Sequence, residues 1–414
     1  MSIGELRWLK PILLRIHGFF YRLPVRLLYG GLPSSRSSPG AKRLLLLRTD
    51  RIGDFVEFTP ALKHIRNIYG RHQITLVLND RVSELAAACP YVDEVVPINI
   101  RKCRYNFFYW LRTIRKLRSK SFDTAIHCTY SRDPLSDEMV YCCGAPERIA
   151  WDGDLVRHDR RLRLRTASYY TRVLVSGPHL TREIDRNRAL VQELGGEVSS
   201  SGDFLPELWI SDREREFARA LLESEGLFAG NPLLVTMATG ASTPLRMWPA
   251  PAYAEVADRL MSEYGARVLL CGSRAEQPLA QGIGRLMRQP PVILNGRTNL
   301  RQTAALFELC DVFLGNESGA LHLAVAMRMP TLCILGGGHF GRHYPYGPPQ
   351  RHRAVFKPMD CYHCVWKCIY KTARCIQEIS PDHVWRELRS LMEEVVLPAR
   401  AARDRAPQPG RAGA

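Results

Sequence analysis

The stretch Leu44–Leu62, LLLLRTDRIGDFVEFTPAL, decides the fold prediction. Its leucine run is continuously apolar, which is typical of a strand covered on both faces in a parallel sheet. The polar turn Arg48–Asp54 comes at the carboxyl end of that strand, and Phe55 is predicted to open the next helix. Ligands of open parallel sheets bind beyond the carboxyl ends of the strands. Asp54 is therefore either a cap of the helix or a carboxylate that points into a ligand-binding cleft.

Two series of alternating strands and helices predict an α/β fold with two Rossmann-like, doubly wound domains facing an interdomain cleft. The first series has predicted strands at Arg43–Leu47, Ile74–Leu78, Val92–Pro97 and Thr124–Ile126, with helices at Ala61–Tyr69 and Val82–Ala88. The second has predicted strands at Leu233–Met237, Arg267–Cys271, Val292–Leu294, Val312–Leu314 and Thr331–Leu335, with helices at Ala250–Tyr264, Glu276–Met287, Leu300–Cys310 and Ala320–Met327.

Composition divides the chain into four parts. Residues 1–41 are predicted to be a basic amphipathic extension that ends in a Ser/Gly/Pro-rich linker. Residues 42–200 and 201–398 are predicted to be the two domains, and a polar Ser/Gly-rich stretch lies close to their boundary. Residues 399–414 are rich in Arg, Ala, Pro and Gly, a composition that predicts a disordered tail.

The formal net charge of +17 is concentrated in residues 1–43, 101–120 and 399–414, and the rest of the chain is near neutral. Such local cationic surfaces suit phosphates, anionic lipid or nucleic acid. Residues 1–31 intersperse basic side chains with aromatic and aliphatic ones, and no uncharged run approaches the ~20 residues of a spanning helix. This pattern predicts peripheral contact with an anionic membrane. The alternative is a helix packed on the body of the protein.

Four of the twelve cysteines are clustered. Residues 1–31 have no signal-peptide pattern, so the cysteines predict a reducing compartment, where disulfides are disfavoured. Cys361, Cys364, Cys368 and Cys375 have a spacing that suits a structural zinc or iron site, with His363 as a substitute ligand. The alternative is four reduced thiols in a connecting loop.

Polar motifs follow three predicted strands of the second domain. Thr239, Gly240 and Ser242 follow one strand, and Arg246 comes shortly after them. Hydroxyls, a glycine and an arginine at a strand end suit phosphate oxygens. Glu276 follows the next strand, where a carboxylate accepts from a ribose hydroxyl.

The third motif, GNESGALH, joins a strand to an apolar helix. Ser318, Gly319 and Ala320 would present free N–H groups to an anion at the start of that helix. Glu317 would face the ligand as a hydroxyl acceptor, and His322 lies one turn inside the helix. Taken alone, the motif also fits an ordinary capped helix with a core histidine. Together with the other two motifs, it predicts a nucleotide-diphosphate site.

The motifs together resemble glycosyltransferase family 9, the ADP-heptose:lipopolysaccharide heptosyltransferases, from about residue 42 to about residue 390. The resemblance rests on LLLLRTDRIGDFVEFTPAL, ATGASTPLRMWPAPAYAEVADRL, LLCGSRAE and LGNESGALHLAVAM, in that order. It implies a GT-B fold and assigns the family's catalytic aspartate to Asp54. The basic residue two before Trp-Pro is usually lysine in the family and is Arg246 here. The family's Asp in N-D-S-G is Glu317 here.

The resemblance implies an inverting, cofactor-free transfer of heptose from ADP-heptose to a lipid-linked lipopolysaccharide or related cell-surface glycan. Asp54 would take the proton of the acceptor hydroxyl. Arg246 and the helix start at Ser318–Ala320 would stabilise the departing nucleotide diphosphate without a metal. The predicted location is the cytoplasmic face of the bacterial inner membrane.

Two alternatives stay open at this point. Another nucleotide sugar or a protein acceptor would keep the family and change the substrate. A nucleic-acid-binding protein would explain the aromatic residues among the arginines of residues 101–120. That alternative is disfavoured, because no nucleic-acid-binding motif occurs and it leaves the two predicted sheets unexplained.

Overall fold

The computed structural model describes residues 22–34, 42–156, 160–177, 179–198, 202 and 204–405. The chain divides into two compact units between Phe204 and Leu205. Each unit contains one six-stranded sheet whose strand pairs are all parallel. The predicted α/β class with two Rossmann-like domains is thereby confirmed.

Unit 1 has the strand order β3-β2-β1-β4-β5-β6. Its strands are β1 Arg43–Arg48, β2 Gln73–Asn79, β3 Glu94–Ile98, β4 Thr124–His127, β5 Glu147–Trp151 and β6 Arg172–Leu174. Its helices are α1 at residues 22–29, α2 Ile52–Ile68, α3 Ile100–Tyr105, α4 Phe107–Arg118, α5 Pro134–Cys142, α6 Arg160–Ala167 and α7 Glu183–Glu193.

Strand β1 lies at the centre of this sheet because its side chains are apolar on both faces. Leu44 to Leu47 are fully buried. Leu46 is in register with Leu76 of β2 on one side and with Ile126 of β4 on the other. Chain order runs outward from β1 to β3 and then restarts at β4 on the opposite side, so the topological switch point lies between β1 and β4.

Unit 2 repeats this plan with the strand order β12-β11-β10-β7-β8-β9. Its strands are β7 Leu234–Ala238, β8 Arg267–Leu270, β9 Val292–Ile293, β10 Val312–Asn316, β11 Thr331–Ile334 and β12 His352–Val355. Its helices are α8 Asp212–Ser224, α9 Ala250–Tyr264, α10 Gln277–Leu286, α11 Leu300–Glu308, α12 Gly319–Ala326, α13 Arg374–Gln377, α14 Pro381–Leu391 and α15 Leu397–Arg405. Its switch point lies between β7 and β10.

Two predicted boundaries are wrong. Helix α2 begins at Ile52, three residues before Phe55, because Asp54 already occupies its first turn and accepts a hydrogen bond from the Arg51 amide. The predicted helix at Val82–Ala88 is only a single 3₁₀ turn at Ser83–Ala86.

The tail prediction is wrong for residues 399–405, which belong to α15. The guanidinium groups of Arg400 and Arg403 both pair with the buried carboxylate of Asp311, which ties the helix to unit 2. Residues 406–414 lie outside the described residues, as do residues 1–21 of the predicted membrane-binding extension. In the part of the chain that is described, no helix is both long and apolar enough to cross a bilayer.

Candidate active site

At the switch point of unit 1, the turn after β1 is built around a buried arginine. Arg48 donates to Asp50 (Nε to Oδ1, 3.2 Å) and to the carbonyl oxygen of Cys128 after β4 (3.1 Å). It also donates to Asn187 Oδ1 (2.8 Å) and Glu183 Oε1 (3.2 Å) of α7. Burial lowers the pKa of Arg48, but the nearby carboxylates outweigh burial and hold the pKa above its ordinary value. Arg48 therefore stays charged and fastens α7 to the sheet.

Asp54 is the half-buried carboxylate of the same turn. Its Oδ2 atom accepts from the Arg51 amide at 3.1 Å, at the third position of α2. Asp54 therefore belongs to the capping box of α2, whose N-cap residue is Arg51. An acidic group in the first turn is also stabilised by the helix dipole. The same position puts Asp54 at the carboxyl end of β1, beside the switch point.

A second buried network in unit 1 was not found from the sequence. His127, at the end of β4, lies 3.4 Å from Asp137 of α5, and Tyr170 donates to the same carboxylate at 2.6 Å. Arg132 also pairs with Asp137, at 3.2 Å. Burial opposes ionisation, yet His127 and Arg132 hold the pKa of Asp137 down to about 2. The only sequence signal for this network was the run of polar residues after β4. The residues that pair within the network are brought together by the packing of the helices on the sheet.

At the switch point of unit 2, Asn316 joins the two central strands. Its side-chain Nδ2 donates to the carbonyl oxygen of Thr239 after β7 (2.7 Å). Its Oδ1 accepts from the Trp248 amide (3.0 Å). Asn316 is fully buried. It therefore fixes the Thr239–Gly240 turn against the end of β10.

Arg246 and Glu317 form an ion pair at this switch point. Arg246 ends the 3₁₀ turn Pro244–Arg246, and its Nη2 lies 3.3 Å from Glu317 Oε2 and 2.8 Å from the Glu317 carbonyl oxygen. Its Nη1 contacts Ser242 Oγ at 3.3 Å. The buried Nε atom of Arg246 has no hydrogen-bond partner among the described residues.

Helix α12 starts directly beside this pair. Ser318 is its N-cap, and the helical residues begin with Gly319 and Ala320. The Ser318 hydroxyl caps no helix amide, and its oxygen is buried without a partner among the described residues. The first N–H groups of a helix have no intrahelical acceptor. An anion seated here would meet a hydroxyl, a guanidinium and a helix N-terminus.

The ends of β7 and β8 also approach one another. Glu276 accepts from Ser273 through both the amide (2.6 Å) and the hydroxyl (2.8 Å). A Cβ atom at Gly240 would overlap the Glu276 carboxylate, and one at Gly272 would lie 2.8 Å from its Oε2 atom. The two glycines therefore make room for Glu276, and the structure brings the predicted β7 and β8 motifs together.

His322 lies inside α12 rather than at its start. It is 4% exposed, and its Nδ1 atom shares a hydrogen bond of 2.8 Å with the Tyr346 hydroxyl. This geometry fits the alternative of a core histidine better than direct contact with a ligand.

The cysteine cluster gives no support to the predicted structural zinc or iron. In the described ranges, which include all four thiols, no group of three or more Cys, His, Asp or Glu side chains could hold a metal ion. Cys375 Sγ instead accepts from the Gly337 amide at 3.4 Å.

Comparisons with known proteins agree on one family. The family model described as glycosyltransferase family 9 (heptosyltransferase) matches residues 110–372. Lipopolysaccharide heptosyltransferase 2 of Salmonella typhimurium is 24% identical over 366 residues, covering 85% of this chain and 99% of the relative.

Solved structures show the same fold. A glycosyl transferase family 9 protein of Veillonella parvula superposes with a TM-score of 0.72 at 20% identity, covering 87% of this chain and all of the other. An E. coli heptosyltransferase with ADP-2-deoxy-2-fluoro heptose superposes with a TM-score of 0.62 at 17% identity, covering 84% and 99%. The family model matches well over half of the chain, so this protein belongs to glycosyltransferase family 9 and is a glycosyltransferase.

Proposed function

We propose that the protein transfers heptose from ADP-heptose to a lipid-linked lipopolysaccharide core or related glycan, with inversion at the anomeric carbon. One observation carries the donor assignment. Arg246 Nε and Ser318 Oγ are buried at the β7/β10 switch point, beside the N-terminus of α12, and neither has a hydrogen-bond partner within the described part of the chain. Buried polar atoms of this kind are normally satisfied, and a diphosphate would satisfy both.

In the proposed donor complex, Thr239, Gly240 and Ser242 lie along the diphosphate and Glu276 accepts from the ribose. Arg246 binds the diphosphate, and Glu317 accepts from a hydroxyl of the sugar. The Arg246–Glu317 ion pair supports this division of roles, because it holds the cation and the acceptor side by side (3.3 Å). Gly319 and Ala320 contribute amide groups of α12 to the phosphate oxygens.

The reaction is proposed to be a single displacement. The acceptor oxygen forms a bond to the anomeric carbon as the bond from that carbon to the phosphate oxygen breaks. Asp54 takes the proton of the acceptor hydroxyl. Arg246 and the α12 amides stabilise the negative charge that develops on the leaving nucleotide diphosphate. These groups supply the positive potential, so the proposed chemistry includes no cofactor.

The names of the relatives support heptose and lipopolysaccharide as the substrate pair. Arg246 and Glu317 replace the lysine and aspartate usual in the family, which motivates a test of other sugars. Thermal shift of the purified protein with ADP-heptose and with ADP-, UDP- and GDP-hexoses makes that test. We expect ADP-heptose to raise the melting temperature most, in wild type and not in Arg246→Ala. If none of the nucleotide sugars stabilises the protein, the donor assignment fails.

We further propose that unit 1 rests on the anionic inner face of the bacterial inner membrane. Arg118 of α4 donates to the backbone carbonyls of Tyr29 and Leu32 (3.3 and 3.0 Å), which packs α1 beside α4. Leu27 and Phe108 on these helices are 73% and 79% exposed. Residues 100–118 contain seven basic side chains and no acid. Exposed apolar side chains among cations are the composition of an interfacial helix.

Vesicle sedimentation tests the membrane proposal. Arg22 of α1 pairs with the buried Glu138, so truncation would disturb the unit, and substitutions on the exposed face are preferable. Leu27→Ser combined with Phe108→Ser should lower binding to vesicles that contain anionic lipid. Leu286→Ser, at an exposed leucine of unit 2, is the matched control. Equal sedimentation of wild type and the double variant would overturn this proposal.

A further inference from the structure

The segment Cys361–Cys375 folds back onto the loop that follows β11. The amides of His363 and Val365 donate to the carbonyl oxygens of Gly337 and Gly338, at 2.8 and 3.0 Å. Tyr362 stacks against Phe340 of the same loop, with ring centroids 4.5 Å apart. The cysteine segment is therefore bound to the loop by backbone hydrogen bonds as well as by side chains.

Trp366 is the residue by which this segment reaches the proposed donor site. Its indole packs against Gly336 and Gly338, and a Cβ atom at either glycine would overlap the ring. The guanidinium carbon of Arg246 lies 5.2 Å from the centroid of the same ring. The indole is thus placed between the glycine loop and the arginine that we assign to the diphosphate.

The backbone conformation around Trp366 carries strain. His363, Val365 and Trp366 have φ angles of 64°, 52° and 62°. Residues with side chains adopt this left-handed region at a cost in free energy, and a β-branched residue such as Val365 does so rarely. Such conformations persist where the surrounding structure imposes them, and they cluster at functional sites.

We propose that Trp366 is a positioning residue that holds the Arg246 guanidinium in place for the donor diphosphate. This inference rests on the proposed function. Arg246 has a long flexible side chain, and its guanidinium donates hydrogen bonds to Ser242 and Glu317. The indole supplies a flat surface for the cation, which is the geometry of a cation–π contact. Without that surface the guanidinium is mobile in the free protein. Ordering it when the diphosphate binds then costs free energy, which weakens binding.

Calorimetric titration with ADP tests the inference, because ADP contains the diphosphate and lacks the sugar. Trp366→Leu should weaken ADP binding by roughly tenfold, a loss between those of an exposed and a desolvated cation–π contact. Trp366→Phe keeps an aromatic face and should stay within about threefold of wild type. The Michaelis constant for the donor should rise more than the turnover number falls. Wild-type ADP affinity in Trp366→Leu would overturn the inference.

Tyr370→Leu is the matched control. Tyr370 belongs to the same segment and also stacks under an arginine, with the Arg374 guanidinium carbon 5.0 Å from its ring centroid. Its loss removes the same kind of contact away from Arg246. We expect ADP affinity to be unchanged in Tyr370→Leu. A loss equal to that of Trp366→Leu would mean that the segment acts only through its overall stability, which contradicts the inference.

A double-variant cycle separates the inference from the proposed function. If Trp366 acts through Arg246, Trp366→Leu should change ADP affinity less than about twofold in an Arg246→Ala background. Independent, additive losses would overturn the positioning role. If Arg246→Ala alone leaves ADP affinity unchanged, it is the donor assignment of Arg246 that fails.

Gly338→Ala provides a second route to the same displacement. Its Cβ atom would push the indole away from the loop. ADP affinity should fall about as far as in Trp366→Leu, and the two changes together should cost no more than either one. Gly282→Ala, where the nearest side-chain atom would lie 3.9 Å away, is the neutral glycine control. Wild-type ADP affinity in Gly338→Ala would contradict the role of the indole.

Discussion

Arg48 and Arg246 both lie near the switch point of their unit but have opposite surroundings. Arg48 is the last residue of the central strand β1, whereas Arg246 ends the 3₁₀ turn that follows β7. Arg48 is fully buried and donates to two carboxylates, an amide and a carbonyl. The side chain of Arg246 is 16% exposed and pairs with the Glu317 carboxylate, and its Nε has no partner among the residues that the structure describes. Every guanidinium nitrogen of Arg48 thus has an acceptor, whereas one nitrogen of Arg246 has none in the described ranges.

We propose that this difference separates a structural cation, Arg48, from a ligand-binding one, Arg246. A buried charge is tolerated when the protein itself pairs it, and removal of one partner leaves the others uncompensated. A partly paired cation at a helix N-terminus retains capacity for an anion from outside. Strand-end position alone therefore does not identify a binding residue. The number of hydrogen-bond and ion-pair partners that the protein supplies is the better guide to a binding residue.

Arg48→Met should have the largest effect, and the effect should be on stability. It would leave the buried carboxylates of Asp50 and Glu183 without their cation, a loss of about 3–5 kcal/mol in the free energy of unfolding. Differential scanning calorimetry should show a melting temperature lower by about 10 °C. Arg51→Met, at the exposed neighbouring arginine, should melt like wild type. Comparable stability of Arg48→Met and Arg51→Met would contradict the structural role.

Asp54→Asn should act on turnover instead. Asparagine keeps an oxygen that accepts from the Arg51 amide, so the start of α2 is retained. The proposed base is lost, and the turnover number should fall by roughly 100-fold or more, with donor affinity nearly unchanged. Asp80→Asn, at an exposed carboxylate after β2, is the control for a lost charge. A fall of less than about threefold would mean that another group takes the proton.

Arg246→Ala should lower donor affinity and turnover together, by about 10- to 50-fold in catalytic efficiency, and should also lower the melting temperature, because the buried Glu317 carboxylate loses its cation. Arg246→Lys should recover much of this loss, since it restores the charge but not the planar donor geometry. Steady-state kinetics with the donor varied measures both. An equal loss of activity in the two variants would favour a bidentate role of the guanidinium. Arg285→Ala, on the exposed face of α10, is the control.

Much of the fold could be predicted because its signals are local. The strands β1, β7 and β10 are continuous apolar runs. Helix α9 was predicted with its observed bounds, because Pro249 precedes it and Gly265, with a φ of 61°, ends it. Strands β5, β6 and β12 were not predicted. Strand β6, for example, has three residues with only Leu174 buried, so it has no clear hydrophobic pattern.

The motifs that we propose for the donor site do follow strands, as the sequence predicts, but the distinction between Arg48 and Arg246 could not be predicted. The partners of Arg48 on α7 lie 135 and 139 residues away in the chain. The spacing of the cysteines predicted a metal site. No pattern in the sequence indicated a role for Trp366, which lies between two of these cysteines. Its contact with Arg246 depends on left-handed residues that sequence propensity disfavours. Contacts of this kind arise from tertiary packing.

Two buried histidines extend the comparison at a smaller scale. Burial lowers the pKa of both. Asp137 opposes the shift at His127, whereas Arg351 and Arg328 add to it at His352, whose pKa falls to about 4.

In the unfolded chain, His352 regains its ordinary pKa of about 6.5 and binds more protons than the folded state between pH 6.5 and 4. The free energy of unfolding should therefore decrease as the pH falls, by about 1 kcal/mol between pH 7 and 5.5 from this residue. His352→Asn retains hydrogen-bonding capacity towards Thr331 and should flatten the dependence of the melting temperature on pH. His383→Asn, a half-buried histidine at the start of α14, should keep the wild-type slope. An unchanged slope in His352→Asn would show that the uncompensated histidine is not what destabilises unit 2 in mild acid.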